Sequence, residues 1–340
     1  MEMIKQETEV AQIHRSDPAD NLAACHFVDL YVANDPAEIP VVRGLALEGG
    51  GKMPGVQDLP EVFRGCILDL MRKIEKHHLE TGEAEFMIRS GDTHFRTALI
   101  GAPLMRERPR PEQRRDWCVR RIGGTIPELG MLGIPDPIKE ALHEAGRDRG
   151  LVMVAGPFGA GKSTTASAAL VNWVASNRES AVTFEDPPEY MIGGRYPSGG
   201  IIYQIPVTHS TLSSAIVHSY RWAPRYAFLG EIRTPESAAQ LLHMAIAGPL
   251  ALCTIHASDP IQAIASLIRY SGSHIGDTEA RRMIAASLRL VVHQDLSWGH
   301  MIARKLSLPA KGAEPLRNKI ETGKLNMLYE DMERQAKFTA

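Results

Sequence analysis

Along the first part of the chain, short alternating runs of apolar and polar residues flank one stretch of helical spacing. Over 27–43 the text alternates (VDLYVAN, a Pro/Glu turn, then IPVVRG), which predicts strand, loop and strand. Between 61 and 79, Val62, Ile67, Leu68, Leu70, Met71 and Ile74 recur at helical spacing and predict an amphipathic helix. Strand character returns over 85–100 and over 118–122, and a turn then leads to a helix over 135–145. After Gly150 the pattern changes: apolar strands over 151–155, 181–184, 226–229 and 250–255 alternate with helices over 162–176, 210–219 and 235–247. Such alternation implies a parallel sheet covered on both faces. From 278 onward the reading is mostly helix, with 315–332 closing the chain.

Composition narrows the class. The chain has 340 residues, and a prior of one domain per ~150 residues gives two. With 44% apolar and 23% charged residues it can bury a core, which excludes wholesale disorder. Lys plus Arg (38) nearly balance Asp plus Glu (40), so no global positive field recruits nucleic acid. Cys25, Cys66, Cys118 and Cys253 form no CxxC pair, so neither a zinc ribbon nor a disulfide framework is expected, and a reducing cytoplasm fits. The start, MEMIKQETEV, lacks the apolar core of a secretory signal. The uncharged run 237–258 is interrupted by Gln240, His243 and Gly248-Pro249, which predicts a buried helix, a turn and a buried strand in a soluble chain. Residues 1–20 read as a loose arm, and PLMRERPRPEQRR, from Pro103, as a solvated charged loop or a face toward a neighbouring subunit.

One segment carries specific chemistry. Gly156-Pro-Phe-Gly-Ala-Gly161-Lys162-Ser163 matches G-x4-G-K-S/T and stands between the apolar strand LVMVA and the helix-forming run STTASAALVNWV. Glycines let the backbone wrap a β-phosphate, and the loop N–H groups with the helix N-terminus supply positive potential. Lys162 can then reach the β- and γ-phosphates, and the Ser163 hydroxyl can ligate Mg²⁺. Three further strands end in useful polar groups: VTFE reaches Glu185-Asp186, YAFLG reaches Glu231 and LALCTI reaches His256. Ligands of open parallel sheets bind beyond the carboxyl ends of the strands, so these segments aim phosphate-handling groups at one edge.

Here the sequence resembles the secretion and pilus-motor ATPases of the type II/type IV superfamily, especially PilT-type retraction motors and DotB-like secretion ATPases. GPFGAGKSTT resembles their Walker A segment, TFEDPPEY their Asp box, FLGEIR their atypical Walker B and ALCTIHAS their His box. VDLYV with PVVRG, RRIGGTIPELGMLGIP, ASLRLVVHQDL and PLRNKIETGK extend the likeness over 27–324. The resemblance implies a RecA-like P-loop NTPase domain with a parallel sheet over 147–340, ending in helices. Ahead of it would stand a linker over 123–146 and a PAS-like α+β domain over 21–122.

It further implies ATP and Mg²⁺ as ligands, with Gly156, Gly159, Ala160, Gly161, Lys162, Ser163 and Thr164 holding nucleotide and Ser163 and Asp186 the metal. Glu231 would position or deprotonate the attacking water, Glu185 would help organise water and metal, and His256 would sense the γ-phosphate. Arg96 and Arg120 would reach a neighbour's nucleotide in a homohexameric ring, although each also fits a strand residue paired at the surface. Arg221 and Arg233 lie near the sheet edge. Membrane-platform or secretion-channel partners, and a cytoplasmic place against the bacterial inner membrane, come with the resemblance. Neither zinc nor nucleic acid is expected as a direct ligand. Departures from the family pattern fall at Tyr31, Phe158, Ala160, Arg225, Thr234, Pro249 and Ser258, and none removes Lys162, Ser163, Glu231 or His256. A non-hydrolysing nucleotide-binding subunit, a RecA-like DNA translocase and, last, a small-molecule kinase are the other readings.

Overall fold

The computed structural model describes residues 27, 29–35, 37–44, 55–91, 93–101, 114–123, 125–208, 210–297 and 300–337. The arm expected over 1–20 and the basic run 103–113 lie outside these residues. Contacts divide the chain into two units, Met1–Gly124 and Thr125–Ala340.

The first unit is a six-stranded antiparallel sheet and a helix. Strands β1 (Asp29–Ala33), β2 (Val41–Arg43), β3 (Val56–Asp58), β4 (Glu85–Ser90), β5 (Thr93–Gly101) and β6 (Asp116–Arg121) take the order β3-β2-β1-β6-β5-β4. Between β3 and β4 runs α1 (Arg64–Thr81), which ends where Gly82 turns left-handed at φ 76°. Its predicted apolar stripe is real: Ile67, Leu70 and Ile74 are fully buried against Leu30, Phe95, Trp117 and Val119. Arg114 and Arg115, the end of the run expected as a solvated loop, are instead tied down. Arg114 donates to Glu38 at 2.8 Å, and Arg115 donates to Glu75 at 3.0 Å. Each thus fixes the approach to β6.

The second unit is a sheet between two helical layers. Strands β7 (Gly150–Ala155), β8 (Ser180–Glu185), β9 (Gly194–Arg195), β10 (Ile201–Pro206), β11 (Tyr226–Leu229), β12 (Leu250–Ile255), β13 (Leu288–Ser297) and β14 (His300–Ser307) take the order β14-β13-β7-β12-β11-β8-β10-β9. All neighbours pair in parallel except the two outermost pairs, β13 with β14 and β9 with β10. The helices are α2 (Asp136–Ala145), α3 (Lys162–Asn177), α4 (Leu212–Ser219), α5 (Pro235–Ala247), α6 (Pro260–Ile275), α7 (Asp277–Ser287), α8 (Glu314–Glu321) and α9 (Leu328–Lys337).

Strand β7 explains why its sequence is an unbroken apolar run. Successive side chains point to opposite faces, and both faces are covered. Leu151, Met153 and Ala155 pack with Leu241 and Leu242 of α5 and Ile264 of α6, whereas Val152 and Val154 pack with Leu142 of α2 and Leu170 and Trp173 of α3. The residues expected as a linker therefore contribute Leu129, Ile138 and Leu142 to a core. The uncharged run 237–258 becomes α5, a turn and β12 as expected, and among the described residues no helix is long and apolar enough to cross a membrane.

The expectation of mostly helix after 278 is corrected. Only 277–287 is helical before the chain enters the β13–β14 hairpin. Leu290, Val291 and Val292 are buried on both faces of β13 because that strand extends the parallel sheet beside β7. A buried strand and a buried helix segment look alike in a short apolar run. The helix expected over 315–332 is also two, broken at Thr322-Gly323.

Trp173 is fully buried and donates its indole N–H to the Leu142 carbonyl at 2.6 Å, tying α3 to α2. Trp173→Ala is expected to cost the second unit about 3–5 kcal/mol, measured as a loss of urea stability. A loss well under 1 kcal/mol would show that the site collapses around the smaller side chain.

Candidate functional site

The parallel register brings the ends of β7, β12, β11 and β8 to one edge, and the segments leaving them carry Gly156, His256, Glu231 and Asp186. After β7 the chain makes the loop 156–161. Gly156 has φ 155°, and a Cβ there would lie 2.1 Å from the Gln294 carbonyl oxygen, so only glycine fits. Gly161, at φ 78°, is the N-cap of α3, where the helix N–H groups open toward the loop. Gly159 has φ 74°, while Ala160 is buried.

Gln294 grips this loop. It is fully buried on β13 and donates its side-chain amide to the Ala160 carbonyl at 2.5 Å, while its main chain abuts Gly156. The sequence reading assigned this segment to helix and gave Gln294 no role. Leu290 and Val292 share its face of the strand, but in so short an apolar run that spacing also fits a buried helix.

Lys162 points back over the loop. Its Nζ donates to the Pro157 carbonyl at 2.9 Å and lies 3.3 Å from His256 Nδ1. On the other side of the imidazole, Nε2 is 2.8 Å from Glu231 Oε1. An ammonium can only donate, so Nδ1 must accept. The ring proton therefore sits on Nε2, which approaches the carboxylate at ion-pair distance without an aligned hydrogen bond to Oε1. Arg233 donates to Glu231 Oε2 at 2.8 Å and closes the chain Lys162–His256–Glu231–Arg233. Burial pushes the Lys162 ammonium down, opposed by Glu231 and Glu189. Burial, then the Lys162 charge, pushes His256 down, opposed by Glu231, so the imidazole is neutral near pH 7.

The other expected residues divide. Glu185 is buried; Thr183 donates to its Oε1 at 2.7 Å and Gln204 at 2.9 Å, and burial raises its carboxyl despite those bonds. It packs on Gly230, where a Cβ would lie 3.1 Å from the Glu185 Cγ, and so braces the turn into Glu231. Ser163 is half-buried in the first turn of α3, and the Thr164 hydroxyl is 2.8 Å from that of Tyr190. Among the described residues no group of three or more His, Cys, Asp or Glu gathers to cage a metal. Mg²⁺ held mainly by phosphate oxygens and water needs only one or two protein ligands, which the Ser163 hydroxyl and the Asp186 carboxylate would supply.

Arg96 and Arg120 belong to the first unit, where they stand directly opposite each other on β5 and β6. Both are engaged there. Arg96 donates to Glu85 at 3.0 Å, and Arg120 donates to the buried Asp29 at 2.7 Å, where Arg43 also binds. Burial would raise the Asp29 carboxyl, but the hydrogen bonds and charges of Arg120 and Arg43 outweigh it and hold the group low. Several departures from the family pattern have structural work. Arg225 donates to the Arg147 and Asp148 carbonyls at 2.9 and 2.7 Å beyond α2, and Thr234 caps α5 in a reciprocal bond with Ser237.

Two outcomes are expected. Gln294→Ala leaves the Ala160 carbonyl without its partner, a loss of about 1–3 kcal/mol that thermal unfolding would register; an unchanged melting temperature would show the loop holds without it. Because the folded Asp29 carboxyl lies below its unfolded value of ~3.9, its contribution is full above that value and lost as pH falls through the folded one. Asp29→Asn should therefore flatten the acid limb of stability below about pH 4, followed by urea midpoints. An acid limb equal to wild type would remove the ion pairs from the account.

Comparison with known proteins agrees with this geometry. Residues 119–313 match the family described as Type II/IV secretion system protein. YggR of Escherichia coli (strain K12), described as uncharacterized, is 28% identical over 231 residues, covering 66% of this chain and 68% of that one. The type IV pilus ATPase PilU of Pseudomonas aeruginosa is 32% identical over 221 residues, or 62% of this chain and about half (52%) of its own length. The crystal structure of the pilus retraction motor PilT with bound ADP shares the fold at a TM-score of 0.68 and 23% identity, covering 93% of this chain and 89% of that one. The Legionella pneumophila ATPase DotB shares it at 0.65 and 18%, covering 92% and 85%. The family match takes in more than half of the sequence and every strand end of the candidate site, and the chain belongs to the type II/IV secretion system protein family.

Proposed function

We propose that the chain is an ATPase subunit that works as a homohexameric ring in the cytoplasm and turns ATP hydrolysis into movement of a type IV pilus or type IV secretion machine at the inner membrane. The observation that carries this reading is the Lys162–His256–Glu231 chain, which spans the ends of three neighbouring parallel strands. Its partners would be platform or secretion-channel proteins, a class suggested by relatives named as pilus and secretion ATPases.

On this reading the Lys162 ammonium exchanges the Pro157 carbonyl and His256 for β- and γ-phosphate oxygens, helped by the loop N–H groups and the α3 N-terminus. Glu231 orients the attacking water and takes its proton as the new P–O bond forms and ADP leaves with the old bonding pair. His256 touches both the lysine and the carboxylate, so occupancy of the γ-phosphate position is felt at Glu231. Glu185 holds the Gly230 turn that aims Glu231. Ser163 and Asp186 would hold Mg²⁺, which supplies charge neutralisation on the phosphates when bound. Arg96 and Arg120 of a neighbouring subunit would neutralise the remaining γ-oxygen charge, making hydrolysis depend on closure.

The test is phosphate release from Mg-ATP by the purified chain. Glu231→Gln should lower turnover by ~10²–10⁴, and Lys162→Ala should abolish it, while Gln240→Ala stays near wild type. Normal turnover in Glu231→Gln would overturn the assignment. Arg233 on Glu231 favours one second reading, a non-hydrolysing subunit, which ATP binding without phosphate release would select.

A further inference from the structure

At the apex of the phosphate loop stands a side chain that phosphate binding does not require. Phe158 is 86% exposed, although Gly156 and Ala160 on either side of it in the loop are buried. Its ring does not lie free. The ring centroid is 3.8 Å from that of the His256 imidazole, with the planes 36° apart, and Lys162 Nζ lies 5.8 Å from the phenyl centroid.

His256 is thus held from three directions. Lys162 approaches Nδ1 at 3.3 Å, Glu231 approaches Nε2 at 2.8 Å, and the phenyl ring covers a face. The polar neighbours, Lys162, Glu231 and the Gly156 main chain, act at the ring nitrogens and do not wall either face of the imidazole. A flat apolar wall against one face opposes tilting, because tilting the ring would part the two π surfaces and wet both. The three contacts also differ in what happens when a triphosphate arrives. Lys162 is drawn to the phosphate oxygens and gives up Nδ1, so the imidazole loses one anchor as it becomes needed. A phosphate does not compete for the phenyl face, and the stack persists.

We propose that Phe158 is a positioning residue for His256: its ring fixes the imidazole plane so that Nε2 keeps facing Glu231 after the γ-phosphate has taken Lys162. This rests on the ATPase reading of the same site. The ring lies against one face of the imidazole, beside the Lys162 ammonium. The charged groups facing the imidazole are Lys162, Glu231 and, behind it, Arg233. Phe158 touches none of the reacting atoms; it acts through His256, the nearer of its two neighbours in the site, with the Lys162 ammonium 5.8 Å from its ring centroid.

The experiment compares the full chain with Phe158→Ala and Phe158→Tyr. The side chain is exposed, so neither change endangers folding. In steady-state Mg-ATP hydrolysis, Phe158→Ala should lower kcat roughly tenfold with KM near wild type, as expected for misorientation of a catalytic group. Phe158→Tyr keeps the ring and should restore kcat. A second readout needs no turnover: acylation of His256 by diethyl pyrocarbonate in the nucleotide-free protein, followed by mass spectrometry. Phe158→Ala should speed labelling of His256 several-fold, and Phe158→Tyr should match wild type. Unchanged labelling in Phe158→Ala, unchanged kcat, or a raised KM at constant kcat would overturn the role. Wild-type protein that releases no phosphate would sink the ATPase reading and this role with it. Normal wild-type turnover with unchanged labelling would sink the Phe158 role alone.

Discussion

An ammonium taken out of water needs an anion, and among the described residues none brings a carboxylate into direct contact with Lys162, buried over the glycine loop. Its donors rest on a main-chain carbonyl and a neutral imidazole, and negative charge reaches it only at one remove, through His256 from Glu231. Burial of such a charge is costly unless it is paired. On the proposed reading, a phosphate would offer this ammonium what a carbonyl and an imidazole do not. The rest of the second unit serves this arrangement. The parallel sheet sets the loop, the imidazole and the carboxylate side by side, and cores on both faces keep the strand ends in register.

The same constraint explains Gln294. A loop that must present its N–H groups outward turns some carbonyls inward, where an unpaired acceptor is expensive. The Gln294 amide meets one of them at Ala160, and its backbone leaves no room for a side chain at Gly156. The β13–β14 hairpin thus supports the loop from the side of β7 opposite β12. In the first unit a comparable economy governs the arginines, since a single buried carboxylate, Asp29 on β1, orders Arg43 and Arg120 on the two strands that flank it.

Much of this was legible in the sequence, for identifiable reasons. The strand over 151–155, the glycine loop and the helix from Lys162 announce themselves because loop geometry demands glycine and the buried strand demands an apolar run. Glu231 and His256 could be singled out as candidates because each follows a strand of that sheet. What escaped the sequence lay where local pattern is ambiguous or partners are distant. LRLVVHQDL reads equally as buried helix or buried strand, and only pairing with β7 decides it. Strand β10 was missed because Tyr203 and Gln204 interrupt it, although Gln204 there bonds Glu185. The partners of Arg96 and Arg120, Glu85 and Asp29, lie 11 and 91 positions away and become neighbours only through strand pairing.

The central claim is that Lys162 is held in reserve for a triphosphate. A crystal structure of the chain with Mg²⁺ and a non-hydrolysable ATP analogue tests it most directly. The account predicts that Nζ leaves the Pro157 carbonyl and His256 Nδ1 and lies within hydrogen-bond distance of β- and γ-phosphate oxygens, with His256 still facing Glu231. An analogue bound elsewhere, or a lysine still seated on Pro157 beneath a bound triphosphate, would contradict it.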